Sequence, residues 1–589
     1  MQRQKLLPSI LISFFCLAFA VSGCGSDAQK GFKPSPDWSR GVPVGQSVAG
    51  SVGLATEGSG ERVHLVWPVQ AEGERRIRYV QLNRAAAPVI NRELALPSGR
   101  LRLPRLLAAS DGRLHLFWVN RMPDNAQNEL WHVVLGTGGE LAGPAALLSA
   151  PETSVGTYDA AAGSGGGAVV AWDDEQAGGI YLLRLNREGD VQGSPAAISG
   201  AGSSPSLRVD SADGVHLAWR EGRYFFYSGP ASAGGVQVVG VQLGTGDSLV
   251  GPEVGLSEGW VYVFWSVLSR LHEQAGTAFS EFVAFPAGAP AMSTPARLPI
   301  SNLEAPPYSK YTVSAREGEA SGASYQLVRP EQAGGAGASS EFVHQPYAVQ
   351  GERNALAVAV SSRQQLRYNQ VVQVAVALFE AGQFKGYQMA AKTESLSRQP
   401  VAAADAAGNL YLAWREGAGG DEVFFATTAP ESRAVIDRLG GGDVADALLR
   451  GGFESIATVA LFPLALPLVV PGLVLLFVVA LVGGRDSLTG LGPWLLLLVA
   501  VGLYQATKFM FLPDALTYVP FSAWIDVPAG WRFPLRIGVP LASLLIGAGV
   551  AGWMWRRRTQ SMLVFYLLLT LTDVLLTMAV YGVIILGVS

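Results

Sequence analysis

Charged side chains recur at one kind of position in this sequence, directly after short apolar segments. The candidate positions are Asp173, Asp174, Arg220, Glu221, Arg316, Glu317, Arg415 and Glu416. Three arginines at equivalent positions could hold a carboxylate through bidentate hydrogen bonds. Two of the carboxylates could instead form the catalytic pair of a glycoside hydrolase if they lay about 5 to 10 Å apart. We favour a third interpretation, in which each arginine pairs in solvent with an adjacent or neighbouring glutamate, because each brings its own glutamate.

Cysteine and histidine offer little further chemistry. The sequence contains two cysteines, Cys16 and Cys24. Because Cys16 falls in an N-terminal export signal, we expect no intramolecular disulfide, thiol-ligated metal or catalytic cysteine in the mature chain. His64, His115 and His216 occupy one position in three repeats, too far apart to share a metal. We expect structural roles for them, and we predict neither a metal site nor a cofactor.

The charged positions follow a repeated pattern, which is clearest at residues 205–222. One apolar segment ends at Val209, Asp213-Gly214 follows, and a second apolar segment ends at Trp219. An Asp-Gly pair between two such segments is a strong β-hairpin signal, because glycine supplies the positive φ that the turn requires. Related units end at Trp67, Trp118, Trp172, Trp265 and Trp414. The repeated unit is therefore predicted to be a β-hairpin, with its tryptophan in the core.

The spacing of these tryptophans predicts a β-propeller at residues 44–430. Consecutive markers lie about 50 residues apart, and four strand-like segments per repeat fit one blade. A degenerate unit at Ser314-Ala315 and an uncertain one near Val360 bring the expected number of blades to eight, with seven as the alternative. Residues 38–44 are expected to supply the outermost strand of the last blade and so close the ring.

Three of the hairpins carry a family resemblance. Leu101–Trp118, Pro205–Trp219 and Pro400–Trp414 resemble the inner hairpins of sialidase-like propellers built from bacterial neuraminidase repeats, and the likeness covers roughly residues 38–430. The resemblance implies a propeller fold and suggests sialidase-like glycoside hydrolysis as one possible function. The family's Asp-box, Ser-x-Asp-x-Gly-x-x-Trp, is not met at its proper spacing. Its arginine triad, Tyr-Glu pair and acidic Asp have no position-by-position match, so no catalytic residue is carried over.

The N-terminus is typical of an exported bacterial lipoprotein. Arg3 and Lys5 precede an apolar segment, and Val21-Ser22-Gly23-Cys24 resembles a lipobox. We expect a signal peptide at residues 1–23, a lipid on Cys24 and a polar tether at residues 24–43. An ordinary signal peptide and an uncleaved anchor are the alternatives. All three would export the chain that follows.

The composition indicates a second, membrane-embedded region. Hydrophobic residues make up 49% of the chain and charged residues 15%, and the net charge of −4 argues against a nucleic-acid partner. After a linker at residues 431–453, four apolar segments at 456–482, 494–509, 537–555 and 562–588 predict a four-helix transmembrane domain at residues 454–589. Pro463, Pro467 and Pro471 predict an irregular first helix. An exported propeller would place Arg556-Arg557-Arg558 in a cytoplasmic loop.

Asp573 is the main polar feature of the predicted spans. A carboxyl group at that depth is costly, so it marks either a functional site or a contact between helices. Tyr504, Gln505 and Lys508 on the second span are possible partners. We favour helix pairing over ion or proton handling, because one acid without a polar stripe makes a poor pathway. Gly547, Gly549 and Gly552 would allow the third span to pack closely.

These features together predict an eight-bladed, or alternatively seven-bladed, all-β propeller outside a bacterial cell membrane, held by a lipid and four helices. The preferred function is non-catalytic binding or scaffolding for an envelope protein or glycan. The spans would anchor the chain or dock another membrane protein. A sialidase-like glycoside hydrolase is the alternative. A transport or signalling role through the spans rests on Asp573 alone.

Overall fold

The computed structural model describes residues 34–438 and 462–585. Within these ranges the structure does not describe positions 49, 72–73, 98, 110, 122–126, 231–233, 270–276, 304–305, 316–319, 334–339, 341, 350–354, 367–368, 392, 394, 418–421, 484–486, 512–518, 521–528 and 558–559. The expected signal peptide, Cys24, Arg316 and Glu317 therefore lie outside the described residues. The chain forms two compact units, one of β-sheet and one of helices, which we describe separately.

Seven antiparallel four-stranded sheets make up the β unit, and each is one blade of a propeller. Blades 1 to 3 contain β2–β5 (Gly53–Thr56, Val63–Ala71, Glu74–Leu82, Pro88–Glu93), β6–β9 (Arg102–Ala108, Leu114–Asn120, Glu129–Leu135, Ala146–Leu147) and β10–β13 (Val155–Ala162, Ala168–Asp174, Ile180–Leu185, Val191–Ser199). Blades 4 to 6 contain β14–β17 (Ser203–Val209, Val215–Glu221, Tyr224–Ser228, Val236–Gly240), β18–β21 (Ser248–Ser257, Trp260–Ser269, Thr277–Pro286, Ala296–Arg297) and β24–β27 (Val343–Ala348, Leu356–Leu366, Asn369–Glu380, Gln383–Met389). The first strands of neighbouring blades contact one another around the ring, so they surround its axis.

The seventh blade joins the two ends of the propeller. It contains β28–β30 (Ser397–Ala404, Leu410–Glu416, Glu422–Thr427) and, on its outer edge, β1 (Val42–Gln46) from the start of the chain. Val42 pairs with Phe425 in this antiparallel contact. A following helix, α2 (Pro430–Ile436), lies next to the N-terminal segment, where the amide of Arg40 donates to Asp437 Oδ1 at 2.8 Å. The prediction that the N-terminal segment closes the ring is confirmed, although the strand lies at Val42–Gln46 and not at residues 38–44.

The expectation of eight blades is wrong. The degenerate unit at Ser314-Ala315, expected to be a blade, lies in an insertion between blades 5 and 6. The insertion holds a two-stranded sheet, β22 (Ser309–Thr312) and β23 (Ser324–Leu327), and a short helix, α1 (Pro330–Ala333). The insertion is about as long as one repeat, so spacing alone counted it as a blade. Val313 and Leu327 of the insertion are buried in the core that blades 6 and 7 share. The uncertain unit near Val360 is the second strand of blade 6.

The repeated tryptophans form the core between blades, as expected. All six lie on second strands and are at most 2% exposed: Trp67, Trp118, Trp172, Trp219, Trp265 and Trp414. Several stack on an aromatic ring of the third strand, such as Trp219 on Phe226 with ring centroids 5.9 Å apart. The indole therefore supplies a large buried apolar surface at the same place in each of these blades.

A β-bulge recurs in the first strand of blades 2 to 7. The register shifts between Arg102 and Arg105 in blade 2 and between Ser203 and Ser206 in blade 4, and corresponding shifts occur in the other four blades. Non-glycine residues at the bulges adopt positive φ at Leu103, Ser204, Gln345 and Gln399. A bulge bends the strand and changes the direction of the side chains that follow. The bulges therefore determine which side chains face the axis.

The helical unit holds three helices long and apolar enough to cross a membrane among its described residues: Leu491–Phe511, Gly530–Arg557 and Met562–Tyr581. They belong to α5 (Leu491–Phe511), α6 (Ala529–Arg557) and α7 (Met562–Ile585). The expected first span is instead broken into α3 (Phe462–Ala465), a 3₁₀ turn (Leu466–Leu468) and α4 (Val470–Gly483).

The expectation of four continuous spans is therefore wrong. The prolines of the broken segment have the predicted effect, because proline removes a backbone hydrogen bond and disrupts the helix. The 14 residues of α4 rise only about 21 Å, less than the roughly 30 Å of a bilayer core.

Candidate functional site

The charged residues after the second strands connect neighbouring blades. Asp173 of blade 3 accepts hydrogen bonds from the amide of Thr157 at 2.6 Å and from the amide of Ser204, in blade 4, at 2.7 Å. Arg220 donates to the carbonyl of Leu249 in blade 5, and Arg415 of blade 7 donates to the carbonyl of Gly50 at 2.8 Å. Each of these three side chains thus reaches the backbone that leads into or forms the next blade.

The acids that follow them have local partners. Glu221 accepts hydrogen bonds from Trp219 Nε1 at 2.9 Å and Ser199 Oγ at 2.7 Å. Glu416 accepts one from Trp414 Nε1 at 3.0 Å, and Asp174 accepts one from the amide of Gln176 at 2.9 Å. Successive residues of a strand point to opposite faces, which separates each arginine from the glutamate that follows it. The described members of the set are therefore built into the fold around blades 3, 4 and 7.

A second set of side chains forms one layer around the propeller axis. In every blade, one first-strand residue pairs with the residue just before the tryptophan or its equivalent on the second strand. These seven residues are Gly53, Arg105, Asp159, Ser206, Glu253, Tyr347 and Val401. We call them the axial layer. Polar members come from four consecutive blades, 2 to 5, which brings their charges together.

Asp159 is the centre of a buried charge network in this layer. Its carboxylate pairs with Arg105 and, at 3.1 Å, with Arg208, which follows Ser206 by two residues on β14. It also accepts hydrogen bonds from the amides of Ala160 and Leu207, both at 2.8 Å, and lies 3.2 Å from Ser206 Oγ. One carboxylate thus faces five donors from three blades.

Glu253 extends the network across the axis. It pairs with Arg208 Nη2 and accepts a hydrogen bond from the amide of Ala348 at 3.0 Å. Arg208 also donates to the carbonyl of Ala348 at 3.0 Å, and the Arg105 guanidinium lies 5.7 Å from the centre of the Tyr347 ring. Blade 6, which carries Tyr347 and Ala348, is adjacent to neither blade 2 nor blade 4. These contacts therefore bridge the axis.

Burial and neighbouring charges shift the pKa values of this network in opposite directions. Burial raises the pKa of Glu253, and the Arg208 guanidinium opposes that change. For Arg105, burial acts to lower the pKa, but the Asp159 carboxylate and smaller contributions from nearby acidic side chains together outweigh it, and the pKa is raised. Two guanidiniums and two carboxylates share this site. Ionised together, they have no net charge.

Sequence reasoning missed the axial layer, although a signal was present. Arg105 and Asp159 each stand 13 residues before the tryptophan of their repeat, as Ser206 does, inside a segment treated as apolar. A charged residue at one position of aligned hairpins indicates that the position faces something polar. The sequence did not show that residues about 50 positions apart would meet at the axis.

A cavity of about 790 Å³ lies on the hairpin-turn side of the axial layer. Its lining residues lie two or more positions beyond the axial layer, toward the turns that join first and second strands. They include Arg208, Asp210, Glu258, Trp260 and Asp405. At about 3.3 Å per strand residue, the cavity is about 10 Å deep from Arg208 to the turns. Because the network bridges the axis at Arg208, the cavity is closed at that end.

The repeated histidines have buried, hydrogen-bonded positions. His64 Nδ1 lies 2.8 Å from the Tyr79 hydroxyl, and His115 Nδ1 lies 3.0 Å from His132 Nε2. His216 Nε2 lies 3.0 Å from Asp210 Oδ2 on the cavity wall. The described residues contain no group of three or more His, Cys, Asp or Glu side chains arranged to hold a metal ion. The histidines thus join the second strand of a blade to its third strand or to a turn.

Within the helical unit, Asp573 is fully buried and joins three helices. Its carboxylate accepts hydrogen bonds from Tyr504 at 2.6 Å and Lys508 at 2.8 Å, both on α5, and from Ser543 on α6 at 2.6 Å. Tyr504 and Lys508 were among the expected partners, whereas Ser543 was not. A Cβ atom at Gly547 would lie 2.5 Å from the carbonyl of Leu569, so this glycine allows α6 to approach α7 closely.

Comparison with known proteins finds likeness at the level of solved structures. No family model matches the chain, and no curated protein matches it in sequence. Trypanosoma rangeli sialidase matches with 11% identity and a TM-score of 0.34, over 68% of this chain and 61% of the sialidase. An endo-arabinase from Bacteroides thetaiotaomicron matches with 10% identity and a TM-score of 0.30, over 60% of this chain and 98% of that one.

A WD40 domain is similar to the same degree. The WD40 domain of Toxoplasma gondii coronin matches with 10% identity and a TM-score of 0.38, over 71% of this chain and 92% of that one. The resemblance to sialidase-like propellers thus recurs among solved structures. The seven-bladed arrangement itself rests on the strand pairing described above. No residue role is transferred from these proteins.

Proposed function

We propose that this protein is a bacterial cell-envelope binding module, with its propeller outside the membrane. In this proposal Cys24 carries the lipid and the apolar helices anchor the chain or dock a partner membrane protein. The propeller binds an envelope protein or glycan without chemical change. The lipobox-like N-terminus, the apolar helices and the closed seven-bladed ring support this combination.

The donor set of Asp159 is the observation that carries the non-catalytic part. A catalytic carboxylate needs a free lone pair, or a proton it can give, directed at the substrate. Asp159 faces two guanidiniums, two amides and one hydroxyl, and its side chain is only 4% exposed. Its acceptor capacity is therefore used within the protein, as expected of a carboxylate that holds blades together.

A glycoside hydrolase is the second candidate, and one observation favours it. Asp159 and Glu253 both lie within 3.3 Å of the Ser206 hydroxyl, as close together as the carboxyl groups of a glycosidase pair, which are about 5 to 10 Å apart. Burial raises the pKa of Glu253, and such a shift suits a general acid. This candidate requires substrate to displace the internal donors.

One experiment separates the two candidates. The full-length protein in lipid nanodiscs is tested for binding to envelope glycans and for release of product from a panel of fluorogenic glycosides. We expect saturable binding with no turnover. Glu253→Gln is the informative variant, and Glu188→Gln, an exposed glutamate in a turn of blade 3, is the matched control. Turnover that Glu253→Gln abolishes in a folded protein, and Glu188→Gln does not, would replace our proposal with the hydrolase.

A further inference from the structure

The cavity on the hairpin-turn side has the size and walls of a small-molecule site. Binding pockets usually enclose about 300 to 1,000 Å³ and combine an apolar wall with a few polar groups. Here Trp260 supplies a partly exposed indole, and a Cβ atom at Gly382 would lie 2.6 Å from that indole. The ring is therefore held in place by close packing against the backbone. Ser164, Ser211 and Ser257 add polar groups to the lining.

The charge of this cavity is negative. Asp210, Glu258 and Asp405 line it, and Arg208 at its closed end is already paired with Asp159 and Glu253. Burial acts to raise the pKa of Asp210, but a hydrogen bond from His216 and turn amides outweighs it, and the pKa is lowered. Glu258 has no hydrogen-bond or ion-pair partner among the residues that the structure describes.

We infer that this cavity is a ligand site, and that it takes a neutral or amine-bearing saccharide and excludes acidic ones. The inference rests on the glycan part of the proposed function and adds the face, the pocket and the class of sugar. Sugar hydroxyls donate charge-assisted hydrogen bonds to carboxylates, and the apolar face of a sugar ring can stack on an indole. A carboxylated sugar would bring like charge against three acids.

This assignment places the ligand opposite the residues that the sequence suggested. Asp173, Arg220 and Arg415 lie at the far ends of the second strands, where they connect blades. The cavity opens among the hairpin turns at the other ends of those strands. The two faces are separated by the contacts that bridge the axis, so a change on one face can be tested without altering the other.

The test uses the full chain in nanodiscs and three probes: a disaccharide of N-acetylglucosamine, a disaccharide of glucosamine, and sialyllactose. Titration calorimetry measures binding. We expect the two uncharged or cationic sugars to bind at least tenfold more tightly than sialyllactose. Ser211→Trp, which fills the cavity from an exposed turn, should weaken their binding at least tenfold. Glu188→Trp places the same ring on an exposed turn outside the cavity and should have no effect.

A further variant tests the charge argument. Glu258→Gln should reduce the discrimination against sialyllactose severalfold while leaving the neutral disaccharide within about twofold. Binding that Ser211→Trp does not change would overturn the pocket assignment while leaving glycan binding in place. Equal affinity for all three sugars would overturn the charge argument. If no sugar binds at all, the glycan part of the proposed function fails, and this inference with it.

Discussion

Replacing Asp159 with asparagine tests whether the axial network holds the propeller together. The change removes the negative charge that faces both Arg105 and Arg208, while Glu253 remains next to Arg208 alone. Arg105 would then lose its paired carboxylate and keep its contact with the Tyr347 ring. Because the Asp159 side chain is 4% exposed, solvent would compensate little. Removing one partner of such a buried pair destabilises a protein by about 3 to 5 kcal/mol.

Thermal unfolding of the full chain in nanodiscs, followed by tryptophan fluorescence, measures this effect. With an unfolding entropy of about 2.1 cal/mol/K per residue over roughly 390 residues, each kcal/mol lowers the melting temperature by about 1.2 °C. We therefore expect a decrease of about 4 to 6 °C for Asp159→Asn. Asp190→Asn makes the same substitution on an exposed turn of blade 3 and should shift the melting temperature by less than 1 °C.

A double variant separates loss of charge pairing from loss of shape. Adding Arg105→Met to Asp159→Asn removes the unpaired guanidinium, and an apolar side chain of similar length can occupy its place. We expect at least half of the lost stability to return. If Asp159→Asn shifts the melting temperature no more than Asp190→Asn does, the network does not stabilise the ring and our reasoning is refuted.

Three further predictions concern other parts of the molecule. Asp573→Asn should lower the thermal stability of the detergent-solubilised protein, and adding Lys508→Met should restore part of it; equal losses in both variants would contradict an ion pair between the helices. Burial lowers the pKa of His64 to about 4 and that of His132 to about 3. The folded state therefore binds fewer protons than the unfolded state. The free energy of unfolding should decrease as pH falls from about 6.5 toward 4, by up to about 1.4 kcal/mol per pH unit for each histidine. Denaturant titrations that give the same free energy of unfolding across this pH range would contradict the prediction. Trp38→Ala removes a buried indole whose Nε1 donates to Gln388 at 2.9 Å and should destabilise the propeller by about 3 to 5 kcal/mol in denaturant titration, whereas a loss below 1 kcal/mol would mean that the N-terminal segment contributes little to closure.

Local patterns made the blades predictable. An Asp-Gly turn and a tryptophan at fixed distance identify a hairpin without knowledge of its neighbours, and the tryptophans do occupy one place in six blades. Counting blades required more, because spacing cannot distinguish a blade from an insertion of similar length. The two-stranded sheet around Ser314 is such an insertion, and its apolar residues satisfy the same pattern by packing against blades 6 and 7.

Contacts between distant parts of the chain were less accessible. Tyr504 and Lys508 could be proposed for Asp573, because the depth of each residue in a span follows from its place in the sequence. Ser543 could not, because the rotation of the third helix about its axis has no strong signal in an apolar segment. The axial network posed the same difficulty, since Arg105, Asp159 and Glu253 belong to different blades and come together only when those blades pack around the axis.

The axial layer gives each blade one residue at the same height on the same axis, and in six of the seven blades a bulge lies just before it. The blade's own packing depends on its tryptophan or the equivalent residue and on the outer strands, so the residue at this position can change while the blade is kept. Gly53 and Val401 already occupy it in two blades without a polar side chain. A single scaffold could therefore acquire a new pattern of polar side chains at its centre through one codon change per repeat, while the packing between its blades stays the same.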